Sequence, residues 1–362
     1  MNYKYSGLSL ALAVTAFMTA CGGGQKENAR SGEQTARLTV LADSVGYASP
    51  HFMHVCDSML AQTKDSMDFY ELFVIKGNRY TVANPADSML YFADRTLAFV
   101  GRCGDKGERL NGIASRGYSL KATYYHQMRQ DRDSAIILFD KAYQYAMLSD
   151  MKDNVPNTAA NLGDAYAIND DLPQAAQWYR RALFVADSLN LPERSTASIY
   201  MGLGRIYTQL QDYETAYKYY KDAEMRFDIM KPNMQIYFLN NYANFFYYKE
   251  DYDNALKLLQ RMKSFIEKLQ NGDNKYIGDM CLCKINMADV YLNLNNTDSA
   301  KILLDEIEPF YRKYDIETAL FYMGTIRIGI AIKEGELDKV PKIILKSATI
   351  IQYTIKGRFM SR

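Results

Sequence analysis

The sequence lacks an excess of charge of either sign. Its 362 residues include 43 lysine and arginine residues against 42 aspartate and glutamate residues, a formal net charge of +1 at pH 7. Without a basic excess, nothing favours binding to nucleic acid, and without an acidic excess, nothing favours a solvated acidic tail. The composition therefore predicts no nucleic-acid partner.

Residue types that carry catalysis or bind metals are also scarce, with three histidines and five cysteines in the chain. His51, His54 and Cys56 cluster in sequence, but Cys56 would not share a helical face squarely with both histidines. No Ser/His/Asp or Cys/His arrangement is recognisable, and Gly101-Arg-Cys-Gly104 lacks the lysine of a phosphate-binding loop. We expect no catalytic residue, no metal site and no cofactor, and hence no enzymatic activity.

The four cysteines that follow Cys21 are expected to be buried free thiols. They are Cys56, Cys103, Cys281 and Cys283. The last two are two residues apart, so a helix would place them on different faces, where they are poorly placed to pair with each other.

Proline is scarce at 8 residues, whereas tyrosine is abundant at 30 and phenylalanine at 16. A tyrosine ring packs against apolar neighbours while its hydroxyl reaches water. With hydrophobic residues at 48%, the chain can bury a core. This composition indicates packed helices with tyrosine at their rims.

The N-terminus is typical of an export signal, predicted over residues 1–20. Lys4 is followed by an apolar run that is shorter than the about 20 residues needed to span a bilayer. Met18-Thr19-Ala20-Cys21 resembles the cleavage site of bacterial lipoproteins, at which Cys21 would be lipidated. Residues 21–35 then read as a flexible tether. This predicts a lipid-anchored protein of the cell envelope, on the periplasmic face or the cell surface; the alternative is an ordinary cleaved signal with an incidental cysteine.

A repeat is visible in the remainder of the chain. A small or apolar residue recurs after an acidic or turn residue, at Met89, Ala135, Ala175, Ala216, Ala255, Ala300 and Val340. These positions lie 39 to 46 residues apart, and a period near 40 is in the range of helical-hairpin repeats.

Each repeat predicts two amphipathic helices. The first carries a small residue between an apolar and an aromatic residue, as in Leu162-Gly163-Asp164-Ala165-Tyr166 and again in Leu203-Gly204-Arg205-Ile206-Tyr207. The second reads Ala175, Tyr179, Ala182, a spacing that lies on one helical face. The small residue of the first helix should let the second approach closely, and an acidic residue before the second helix should cap it.

These motifs, L-G-x-x-Y followed by D-Y-x-x-A-x-x-x-Y-x-x-A, resemble the tetratricopeptide repeat (TPR). The resemblance implies an all-α fold, a right-handed superhelical solenoid of about seven helical hairpins. Its period near 40 exceeds the about 34 residues of the usual repeat, which predicts longer helices. We expect a helical leader at 36–64, the repeat array at 65–355 and a C-terminal tail at 356–362.

The resemblance also implies a binding groove lined by the first helix of each hairpin. One register position, before the apolar residue of the motif, holds Asn161, Gly202, Asn241 and Asn286, and another, after the small residue, holds Asp164, Arg205, Asn244 and Asp289. One turn further on are Gln209, Tyr248 and Asn293, with Tyr247 beside them. Asparagine both donates and accepts hydrogen bonds and could hold an extended peptide. The alternative is that these side chains face water or bridge neighbouring helices. Arg205 alone would not make the Lys/Arg clamp by which related repeats bind a terminal carboxylate.

The predicted function is therefore binding of a protein or peptide by a membrane-anchored scaffold or adaptor. The last helix, through Ile343 to Ile355, is apolar on several sides. Two explanations compete: this helix docks on a partner or a second copy, or the chain is the extracytoplasmic sensor portion of a histidine kinase or transcriptional regulator whose further domain is missing here.

Overall fold

The computed structural model describes residues 38, 41, 49–81, 87–103, 107–129, 131–270, 276–314 and 316–345. The predicted signal at 1–20, Cys21, the tether at 21–35 and the tail at 356–362 lie outside the described residues. So do most of the leader before Ser49 and the last helix from residue 346 onwards.

The described chain is helical and contains no β-strand within those ranges. The α-helices are α1 (Pro50–Gln62), α2 (Ser66–Gly77), α3 (Asp87–Arg102), α4 (Glu108–Tyr124), α5 (Arg132–Met147), α6 (Val155–Ile168), α7 (Leu172–Ser188), α8 (Glu193–Gln209), α9 (Tyr213–Glu224), α10 (Pro232–Tyr248), α11 (Tyr252–Gln270), α12 (Ile277–Asn293), α13 (Thr297–Lys313) and α14 (Glu317–Lys333). From α2 onwards, each even-numbered helix packs against the odd-numbered helix that follows it. The prediction of an all-α fold made of helical hairpins is confirmed.

Two compact units divide the described chain. The N-terminal unit ends at Met230, and the C-terminal unit begins at Lys231. The largest fully buried side chains include Tyr179 and Tyr220 in the N-terminal unit and Phe238 and Phe245 in the C-terminal unit.

The turn inside each hairpin has the same backbone conformation from repeat to repeat. The second residue after each of five first helices has a left-handed, positive φ. These residues are Asp170, Gln211, Glu250, Asn295 and Gly335. The residue after each of them donates its N–H to a carbonyl five residues back, 2.9 Å from Asp171 to Tyr166. The Asp171 side chain also caps α7 by accepting from the Gln174 N–H at 3.2 Å. The predicted acidic caps are confirmed at Asp131, Asp171, Asp212 and Asp251.

Glycines allow the close approach of helices around Tyr179. A Cβ atom at Gly163 of α6 would lie 2.7 Å from Tyr179 Cδ2, and one at Gly202 of α8 would lie 2.1 Å from Tyr179 Cε1. The ring of Tyr179 is thus held between two helices at points where neither has a side chain. The predicted role of Gly163 is confirmed. The helical register also placed Gly202 in the binding groove, and this is wrong, because Gly202 is buried against the Tyr179 ring.

The lengths of the helices account for the long period. The first helices α8, α10, α12 and α14 each have 17 residues. Two such helices would fill a repeat of about 34 residues and leave none for the turns. The prediction that the extra residues lengthen the helices is confirmed for these four helices, whereas α6 and α9 have only 14 and 12 residues.

The chain after α14 is described only as far as residue 345. Ile344 and Leu345 are 52% and 69% exposed there. What this segment contacts through its apolar residues, a partner or a second copy, stays a prediction.

Candidate functional site

The predicted groove residues lie where successive first helices meet. Asp164 of α6 bonds to Arg205 of α8 in the N-terminal unit. In the C-terminal unit, Asn286 of α12 bonds to Asn240 of α10, and Asp289 of α12 bonds to Tyr322 of α14. We call the surface formed by these facing side chains the first-helix face of each unit.

In the N-terminal unit, this face is built around an ion pair. The Arg205 guanidinium contacts the Asp164 carboxylate, and the Tyr179 hydroxyl donates to the same carboxylate at 2.7 Å. The side chains of Arg205 and Asp164 are only 12% and 8% exposed. Burial raises the pKa of Asp164, and the Arg205 guanidinium and Tyr179 hydroxyl oppose that rise by stabilising the carboxylate. Here the predicted binding residues bridge helices, which is the alternative that the sequence left open.

Asn161 and Gln209 flank this ion pair along the helices. Both are half-buried. The Gln209 Oε1 atom is buried, and among the described residues it accepts no hydrogen bond. A buried amide oxygen that accepts no hydrogen bond is unfavourable. Gln209 Oε1 would therefore be stabilised by a donor from a bound ligand.

In the C-terminal unit, the corresponding position holds Asp289, and its surroundings differ. Its carboxylate accepts hydrogen bonds from the hydroxyls of Tyr247 and Tyr322. Asn293, one turn along α12, donates to the Asp289 backbone oxygen at 2.9 Å and to the Tyr247 hydroxyl at 3.4 Å. Four side chains from three successive first helices therefore meet in one cluster, which we call the Asp289 cluster.

In the part of the chain that the structure describes, no cation balances the charge of this cluster. Among the described residues, no lysine, arginine or histidine forms an ion pair with Asp289. Burial raises the pKa of Asp289, and the two tyrosine hydroxyls only partly offset that rise. Burial and the nearby Asp289 charge in turn raise the pKa of Tyr247 and Tyr322. All four residues are half-buried, so the cluster remains partly open to solvent.

The asparagines of α10 and α12 have different roles. Asn286 donates to Asn240 Oδ1 at 2.8 Å, across the two helices. Asn241, which the register predicted for the groove, is buried and donates to the Tyr237 carbonyl of its own helix at 2.8 Å. Asn244 and Tyr248 are half-buried on α10. The helix-to-helix contact is thus made by Asn240 and not by Asn241.

Sequence reasoning missed Tyr179, Asn240 and Tyr322 as members of these clusters. Tyr179 was recognised as a core residue, but its hydroxyl partner depends on how α6 and α7 pack. Tyr322 is on α14, whose sequence departs from the L-G-x-x-Y motif, so the motif gave no register for it.

The cysteines and histidines form no reactive or metal-binding group in the described part of the chain. His51 and His54 are exposed on α1, whereas Cys56 faces the core, as their spacing predicted. No group of three or more His, Cys, Asp or Glu residues with metal-binding geometry is found in the described ranges. Burial raises the pKa of Cys56 to about 12, which keeps this thiol protonated and poorly nucleophilic at neutral pH.

Three of the four predicted thiols are buried, namely Cys56, Cys281 and Cys283, and all four are free. Cys103 is half-buried, so the prediction of a fourth buried thiol is wrong. It directly follows the end of α3, next to the exposed Gly101 and Arg102, and packs against the edge of a core cluster that includes Val100. Among the described helices, none combines the length and apolarity needed to cross a membrane.

Comparison with known families locates the repeat. Residues 154–224, which span α6 to α9, match the tetratricopeptide repeat family. This is the part of the chain in which the L-G-x-x-Y motif is clearest, so the predicted resemblance to TPR proteins is confirmed there. Among curated proteins, none matches the sequence at a significant level.

Solved structures share the fold over most of the chain. A Rap protein complexed with Competence and Sporulation Factor aligns with a TM-score of 0.62 at 12% identity, covering 89% of each chain. Aspartyl phosphate phosphatase F from Bacillus subtilis aligns with a TM-score of 0.56 at 13% identity, covering 92% of this chain and 86% of that one. The Rap conjugation gene regulator of plasmid pLS20, in complex with the Phr* peptide, gives 0.52 at 13% identity, covering 88% and 85%. At these identities the likeness establishes the TPR-like fold alone.

Proposed function

We propose that this protein binds an extended peptide segment of a partner protein on the first-helix face of its C-terminal unit. The observation that carries the proposal is the row of half-buried polar side chains on α10 and α12, formed by Asn244, Tyr248, Asn286, Asp289 and Asn293. Amide groups match the alternating donors and acceptors of an extended backbone. Tyrosine rings add apolar contact area at a low cost in conformational entropy.

The structural neighbours support the same use of the fold. Two of them were solved with a bound factor or peptide, the Competence and Sporulation Factor and the Phr* peptide. An ordered array of helices offers a preformed surface, which reduces the entropy lost when a flexible peptide binds.

Site-specific photocrosslinking tests this proposal. A benzophenone amino acid at position 244, on α10, should give a discrete adduct in cells. The same amino acid at position 302 should give none, because Ile302 is 60% exposed but is on the second helix α13 and is not one of the side chains of the first-helix face. Gel mobility gives the yield and mass spectrometry identifies the adduct. Adducts of equal yield at both positions would contradict the proposal.

The adduct also separates two uses of the site. An adaptor or scaffold of the envelope should give an adduct with a folded protein. The sensor portion of a signalling regulator should give a short peptide adduct, in the way that the Rap regulator of plasmid pLS20 binds the Phr* peptide. Both uses depend on the same face.

We further propose that lipidation of Cys21 holds the protein on an envelope membrane. The support is Met18-Thr19-Ala20-Cys21 at the end of an apolar run. Wild-type protein should incorporate radioactive palmitate and fractionate with membranes, whereas Cys21→Ser should do neither. Cys103→Ser, which also removes one thiol, should behave as wild type. Unlabelled wild-type protein would show that Cys21 is not acylated.

A further inference from the structure

The repeat contains one acidic position that is neutralised in the N-terminal unit and not in the C-terminal unit. Asp164 and Asp289 each lie four residues before the end of their first helix, α6 and α12. The next first helix presents Arg205 to Asp164. The position equivalent to Arg205 on α14, four residues before Lys333, is Gly329.

Gly329 carries no side chain, so α14 offers Asp289 no counter-ion at this position. A Cβ atom there would lie 2.6 Å from Leu292 Cδ2, the end of a flexible side chain that would have to move aside. The half-buried carboxylate of Asp289 therefore lacks the partner that Arg205 gives to Asp164. Leaving a buried charge without a partner costs far more than pairing it.

Tyrosine rings surround this carboxylate. Tyr247 and Tyr322 donate hydroxyl hydrogen bonds to it. The ring of Tyr252 packs edge to face on Tyr247 at 5.6 Å between centroids. Burial and the charges of Glu250 and Asp289 raise the pKa of Tyr252. A cationic group placed here could donate to the carboxylate and to the tyrosine hydroxyl oxygens, and bonds of this charge-assisted kind are the strong ones.

We infer that the Asp289 cluster is the subsite for a cationic group of the bound ligand, the side chain of lysine or arginine or the free α-amino group of a peptide. The ligand supplies the positive charge that Arg205 supplies to Asp164 in the N-terminal unit. An anion is repelled by the carboxylate, and a divalent metal would need more oxygen ligands than this one carboxylate offers. The inference rests on the proposed function only in assigning the cation to a peptide.

A small probe tests the subsite without any peptide. Full-length protein carrying ¹³C-labelled tyrosine is titrated with n-butylammonium, and with n-butanol as the uncharged isostere. Signals of Tyr247 and Tyr322, assigned from the Tyr→Phe variants, should shift with n-butylammonium alone. Asp289→Asn should weaken this binding about tenfold or more, because it removes a charge-assisted hydrogen bond.

Asp298→Asn is the matched control, since Asp298 is 92% exposed on α13 in the same unit. It should leave the shifts unchanged. Thermal melting followed by circular dichroism confirms that each variant is folded. If n-butylammonium shifts neither tyrosine, or if Asp289→Asn responds as wild type does, the subsite does not exist.

A hexapeptide display selection on the full chain distinguishes this inference from the proposed function. Selected peptides should carry lysine, arginine or a required free N-terminus, and replacing that lysine with norleucine should weaken binding to wild type but not to Asp289→Asn. Peptides that bind equally well without a cationic group would overturn the subsite and leave peptide binding intact. If n-butylammonium binds but no peptide is enriched, the subsite stands and the peptide proposal fails.

Discussion

Replacing Gly202 with alanine is expected to lower the free energy of unfolding by about 3 kcal/mol, the upper part of the range for overpacked cores. The added Cβ atom would lie 2.1 Å from Tyr179 Cε1. The ring cannot move away easily, because Gly163 packs on its other side and its hydroxyl bonds to Asp164. The neighbouring helix must shift instead. Chemical denaturation followed by circular dichroism measures the effect.

Gly101→Ala is the matched control for this change. Gly101 is exposed in the last turn of α3, and a Cβ atom there would have no heavy atom within 4 Å. Alanine at an exposed helical position should stabilise the protein by up to about 1 kcal/mol. If Gly202→Ala were as well tolerated as Gly101→Ala, the close packing of Tyr179 on α8 would be wrong.

The second large effect is expected from a pair of substitutions at one repeat position. Asp164→Asn should destabilise the protein by about 3 kcal/mol, because Arg205 stays charged and buried without its partner. Asp289→Asn should have the opposite sign at neutral pH and raise the melting temperature, since it removes a carboxylate that has no cation.

The pH dependence of stability provides a second test of the unbalanced charge on Asp289. Because its pKa is raised in the folded state, the folded protein binds more protons there than the unfolded chain does. Stability from this group is present below the unfolded pKa and is lost as pH rises through the folded pKa. The advantage of Asp289→Asn over wild type should therefore appear as pH increases from about 4 towards 7. If the difference in melting temperature between Asp289→Asn and wild type were the same at pH 4 and pH 7, Asp289 would not have a raised pKa in the folded protein.

The hairpins could be predicted from the sequence because their determinants are local. The spacing of Ala175, Tyr179 and Ala182 defines one buried face, and Asp171 marks the start of α7 by its capping. The left-handed turn residues could not be found in this way. Asp170, Gln211 and Glu250 share a backbone conformation but no residue type, so the turn is set by the packing of the two helices.

The site could be predicted only to the level of helical register. The register placed Asp164, Arg205 and Asp289 at one position, but it could not show that Arg205 turns back to Asp164. Nor could it show that α14 presents Gly329 to Asp289, because α14 lacks the motif. Contacts between hairpins depend on tertiary packing that leaves no periodic signal, and for the same reason Gly202 was assigned to the wrong face.

The measurement that tests the central claim most directly is the ratio of photocrosslinked adduct at position 244 to that at position 302 in the same cells. If the first-helix face of the C-terminal unit is the binding surface, position 244 gives a discrete adduct that an excess of a selected peptide abolishes, and position 302 gives none. An adduct at position 302 that equals or exceeds the adduct at position 244, and that the peptide does not reduce, would place the binding surface elsewhere.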